Sequence, residues 1–64
     1  MSQAGPCPPR VVVLGADAAA VARVARDRRR AGARVVIFVG EEEGLARQLA
    51  EEMLGGVDEV VRVR

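Results

Sequence analysis

The sequence contains no histidine, lysine, asparagine, threonine, tyrosine or tryptophan, and all ten of its basic residues are arginine. These absences remove most catalytic teams. Without histidine there is no imidazole to act as a base near neutral pH or to ligate zinc, and without lysine there is no Schiff base and no phosphate-binding ammonium. The one serine, Ser2, stands at the extreme end of the chain, where nothing could position it. Cys7, the only cysteine, cannot form an internal disulfide, and its proline-rich surroundings suit an exposed, inert thiol. The longest bulky apolar run, residues 35–39, is far too short to span a bilayer, and the first residues lack the basic start and apolar stretch of a secretory signal. A cytoplasmic protein is therefore expected.

What is present fits one small domain. Of 64 residues, 50% are apolar and 30% charged, with a formal net charge of +1. A chain of this size buries only about 60% of the surface its unfolded form exposes, which leaves little room for a large cavity. Its charge balance exerts no overall pull toward nucleic acid or membrane.

Residues 1–9, with three prolines and no periodicity, read as a flexible leader, and residues 10–64 as a single α/β domain. "RVVVLG", from Arg10, and "RVVIFVG", from Arg34, have the form of buried parallel strands, apolar on both faces and closed by glycine. Between them, Asp17 can cap a helix whose apolar stripe is Ala18, Val21, Ala22, Val24 and Ala25, with Gly32 as the stop. A second helix spans residues 42–54, with Leu45, Ala46, Leu49, Ala50, Met53 and Leu54 recurring at three and four. "DEVVRVR" alternates, Val61 and Val63 against Arg62 and Arg64, as an edge strand does.

The order β-α-β-α-β with right-handed crossovers gives a three-stranded parallel sheet. Two strand orders satisfy it, and 3-2-1 is favoured over 2-1-3 because residues 35–39 form the longest fully apolar strand and suit the centre. In that order both helices cover one face. The other face would expose valines, which a homodimer could bury.

The stretch "VVVLGADAAAVARVARDRRRAGARVVIFVG" resembles the opening of Rossmann-type dinucleotide-binding proteins, most of all the short-chain dehydrogenases/reductases, and the likeness continues through "EEEGLARQLAEEMLGGVDEVVRV". In that family a glycine turn G-x-x-x-G-x-G follows the first strand. With Gly15 as its first glycine, Ala19 and Val21 occupy the places of the second and third. The resemblance implies binding of NAD or NADP at the turn after Gly15, with Gly15, Ala16, Asp17 and Ala19 around the phosphates and Glu41 at the ribose. The departures weigh against it: Ala19 and Val21 crowd the turn, and Asp17 puts a carboxylate where a phosphate would sit. Glu41 also has a plain role in an acidic run that complements the start of the next helix. The family's catalytic tyrosine and lysine, with their serine and asparagine helpers, lie beyond the segment matched, and the chain has no Tyr, Lys or Asn. Reductase activity is not carried over, and no catalytic function is expected.

The arginines Arg23, Arg26, Arg28, Arg29, Arg30 and Arg34 suggest nucleic acid at first sight, but no Tyr or Trp accompanies them for stacking, and Phe38 is expected inside. Favourable placement at the negative end of the first helix is the simpler reading. Glycine after each helix, short connections and a narrow residue alphabet all agree with one fold. The expectation is a designed or minimal Rossmann-like folding unit without enzymatic activity, although a GC-rich gene would favour the same residues. Two alternatives are weak nucleotide binding after Gly15 and an interaction module using the uncovered sheet face.

Overall fold

The computed structural model describes residues 8–40 and 42–64. Strand β1 (Arg10–Gly15) is followed by helix α1 (Ala18–Arg30), strand β2 (Arg34–Val39), helix α2 (Glu43–Leu54) and strand β3 (Glu59–Val63). Both pairings of β1 are parallel, and the strand order is β2-β1-β3. The favoured 3-2-1 order is thus overturned in favour of 2-1-3. This is the arrangement of flavodoxin-like doubly wound sheets and not the 3-2-1 start of a dinucleotide-binding half.

The reason lies in which strand is apolar on both sides with something to cover each. Val11 and Val13 point to one face and join Val21 and Ala25 of α1 in a buried cluster, to which Val24, Val35, Val61 and Val63 add. Val12 and Leu14 point to the other face and meet Ala46 and Ala50 of α2, with Phe38, Val57 and Val60 around them. Because the second crossover runs back over β1, right-handedness sets α2 on the face opposite α1. Both sheet faces then have a helix, so the bare valine face expected of the 3-2-1 order does not form. β2 becomes an edge, with none of its residues fully buried, contrary to the central place its apolar run suggested.

The helices pack through small residues. Val21 and Ala25 are the buried residues of α1, and Ala46 and Ala50 those of α2. Alanine at the contact lets a helix axis approach the sheet closely. Leu45, Leu49 and Met53, expected in the apolar stripe of α2, instead remain exposed, as do Ala18 and Ala22 of α1. Phe38 is half-buried over the α2 cluster. Among the described residues, no helix is long and apolar enough to cross a membrane.

Arg10 staples the bottom of the sheet. Its backbone N–H donates to Asp58 Oδ2 at 2.7 Å, its guanidinium reaches both Asp58 oxygens at 3.1 and 3.3 Å, and Nη1 donates to the Gly55 carbonyl at 3.0 Å. The Asp58 N–H returns a bond to the Arg10 carbonyl at 2.8 Å. Gly56, at φ 144°, lies under this guanidinium, where a Cβ would come within 2.7 Å of Nη1. Hydrogen bonds from the Arg10 side chain, then from its backbone, hold the Asp58 carboxyl below its ordinary value of 3.8. A carboxyl depressed on folding stabilises above its unfolded pKa, and that contribution disappears as pH falls through the folded pKa. We therefore expect the melting temperature to fall as pH drops below about 4, with Asp58→Asn flattening that part of the profile. A calorimetric pH series checks this, and an unchanged slope in the variant would remove Asp58 from the account.

Candidate functional site

The carboxyl ends of the three strands surround an open depression of about 420 Å³, lined by Leu14, Gly15, Ala16, Gly40, Glu42, Glu43, Arg62 and Val63. Its position follows from topology. The chain leaves β1 toward β2 on one side and later returns to β3 on the other, so the connections after β1 and β2 part there, as at the ligand crevice of doubly wound sheets. Its volume falls within the usual range for small-molecule sites, about 300–1,000 Å³. What decides its chemistry is the lining.

Gly15 is fixed by close packing and not by an unusual backbone angle, since it is absent from the glycines with positive φ. A Cβ built on it would lie 2.5 Å from the Val63 carbonyl oxygen and 2.9 Å from Val21 Cγ2. β1 therefore passes so near the end of β3 and the first turn of α1 that only hydrogen fits. Val21, the residue in place of the family's third glycine, is itself part of this contact.

Ala16 lines the depression, and Asp17 beyond it caps α1 with extended backbone (φ -97°, ψ 108°). Its Oδ1 accepts from the N–H groups of Ala19 at 3.0 Å and Ala20 at 3.4 Å. Those are donors that a phosphate at this turn would use. The Asp17 carboxylate thus occupies the anion position with the chain's own charge. Asp17→Ala should cost about 0.5–2 kcal/mol, the usual loss for an N-cap, measured by chemical denaturation; a smaller loss would mean that the cap contributes little.

Across the depression, Glu42 stands at the N-cap of α2, where its side chain makes no cap bond, and Glu43 follows in the first turn. Glu43 Oε1 accepts from Arg62 Nη2, joining the start of α2 to the end of β3. The guanidinium that could have met an anion is thereby matched by a carboxylate, while Glu42 adds another negative charge to the rim. An incoming pyrophosphate would face an acidic lining in which Arg62, the one cation lining it among the described residues, is already paired.

Of the residues expected at a cofactor turn, Gly15 and Ala16 line the depression, while Asp17 and Ala19 bond to each other and close the helix end. Glu41 lies outside the described residues. Arg62 and Val63 join the depression only because β3 lies beside β1, which the 3-2-1 order does not allow; Gly40, Glu42 and Glu43 come from the end of β2 and the start of α2. The alternation of Arg62 with Val61 and Val63 was the signal that it faces away from the α1 cluster. The arginine-rich end of α1 carries Arg28, Arg29 and Arg30 in its last turn, and Arg28 Nη1 lies 3.1 Å from Glu59 Oε1 of β3.

No family model, curated protein or solved structure matches the chain. What the structure shares with Rossmann-like folds is the β-α-β-α-β order of a three-stranded parallel sheet.

Proposed function

We propose that the chain is a non-catalytic, minimal Rossmann-like folding unit, of the kind a designed or simplified sequence gives, and that it takes no nucleotide cofactor. The observation that carries this reading is the Asp17 carboxylate on the Ala19 and Ala20 N–H groups, which fills the turn where a phosphate would bind. The Glu43 and Arg62 pair supports it from the other side of the depression. Consistent local chemistry also supports it: a capping aspartate before α1, a left-handed Gly55 at the end of α2 (φ 77°), and arginines in the last turn of α1. The candidate nucleotide site, Gly15, Ala16, Asp17 and Ala19, is better explained as a strand-to-helix joint.

The test is a titration of the full chain with NAD, NADP and ATP followed by amide NMR shifts. The expected result is no saturable shift at residues 15–19 with any of the three. Saturable shifts there would overturn the reading in favour of a nucleotide-binding turn.

A further inference from the structure

The two edges of the sheet are defended unequally. β3 carries Glu59 and Arg62, tied by ion pairs to Arg28 of α1 and Glu43 of α2. β2 has no charge, proline or bulge in residues 35–39, the devices that normally keep an edge from pairing. Among the described residues, the large apolar side chains that remain exposed are Ile37, Val39, Leu45, Leu49 and Met53, between 38% and 64% accessible. Ile37 and Val39 belong to β2 itself. On the helical wheel, Leu45 and Leu49 lie on the flank of α2 opposite Glu43. Since Glu43 reaches to β3, that flank is on the side of β2.

We propose that the chain pairs with a second copy of itself through β2, antiparallel about a twofold axis at Ile37. The hydrogen-bond pattern sets the register. Arg34 N–H donates to the Pro9 carbonyl and Gly40 N–H to the Gly15 carbonyl, so even-numbered residues of β2 face β1. Val35, Ile37 and Val39 consequently turn their N–H and C=O groups to the open edge. The one register that uses all three on both copies sets Ile37 opposite Ile37 and Val35 opposite Val39.

Charge agrees with this choice. A parallel pairing of these two edges would bring the Arg34 side chains of both copies to within one residue of each other, whereas the antiparallel register sets Arg34 opposite the partner's Gly40, beside the acidic run that includes Glu42. Directly opposed side chains share a face, so both α2 helices lie on the same side of the joined sheet, with their Leu45 and Leu49 flanks turned toward each other. On the other side, exposed Ala18 and Ala22 leave room for the two α1 helices. Because β3 is charged and paired, each copy has one receptive edge and association closes at two.

The test joins sedimentation equilibrium of the full chain with hydrogen exchange at rising concentration. The expected species grows from 6.8 kDa to twice that mass, while the amides of Val35, Ile37 and Val39 slow in step. Ile37→Lys opposes two like charges at the axis and should weaken pairing about tenfold or more. If circular dichroism shows that this variant does not fold, Arg34→Glu carries the test. It lies on an exposed position and should weaken pairing, while Arg34→Lys retains it. A monomer at every concentration, open-ended assemblies, a dimer without slowing at those three amides, or slowing that ignores concentration would each overturn the proposal.

Discussion

Leu14→Ala is expected to lower stability by about 2–5 kcal/mol, the range for removing a buried leucine side chain. Leu14 is only 3% exposed and lies between β1 and the alanines of α2. Chains of this length have total stabilities of roughly 3–10 kcal/mol, so the substitution removes a large share of the whole. Leu45→Ala serves as its contrast. Leu45 belongs to the same apolar pattern on α2 but remains exposed, and its loss should stay within about 0.5 kcal/mol in dilute solution. Urea titrations of the two variants check the difference. Equal losses would mean that α2 is turned differently on the sheet and that its leucines, not its alanines, form the contact.

Gly15→Ala is the second large effect, and its sign is informative. A glycine-to-alanine change in ordinary extended backbone would gain about 0.4–1 kcal/mol from the reduced freedom of the unfolded chain. Here the added methyl would meet a backbone oxygen, that of Val63, at 2.5 Å. The oxygen belongs to the last residue of a strand paired to β1, so it can yield only by opening the end of the sheet. A net destabilisation of about 1–3 kcal/mol is expected, the cost of overpacking. It should appear as a lower denaturation midpoint, with the largest amide shifts at Val63 and Val21. A neutral or stabilised variant would show that β3 does not approach Gly15 so closely.

Local chemistry made much of this fold readable. Asp17 announces its helix because a short acceptor just before an apolar-periodic stretch satisfies N–H groups that nothing else nearby can reach. Gly55 ends α2 because the left-handed position there suits glycine, and the alternation in β3 marks an edge strand. The strand order was not readable in the same way. "VVVLG" and "VVIFVG" are nearly equivalent as sequences, and the choice between them depends on where the second crossover carries α2. That is decided by which helix faces bury, and α2 buries Ala46 and Ala50 while leaving its larger neighbours outside. A pattern of apolar spacing counts Leu45 and Ala46 alike, whereas close packing of a helix on a sheet favours the smaller.

The candidate site inherits the same limit. Gly15 and Ala16 could be located from the turn alone. Arg62, Glu43 and Val63 enter only when β3 lies beside β1, a contact between residues about fifty positions apart in sequence. The closed character of the turn, in contrast, was legible from Asp17, since a capping carboxylate and a bound phosphate compete for the same N–H groups.

Cross-strand nuclear Overhauser effects along β1 test the central placement most directly. With β1 between its neighbours, Val13 should show backbone contacts to both Ile37 and Val61, and Val12 to both Val36 and Val60. Backbone contacts between β2 and β3, with none between β1 and β3, would restore the 3-2-1 order and contradict the account of the site built on it.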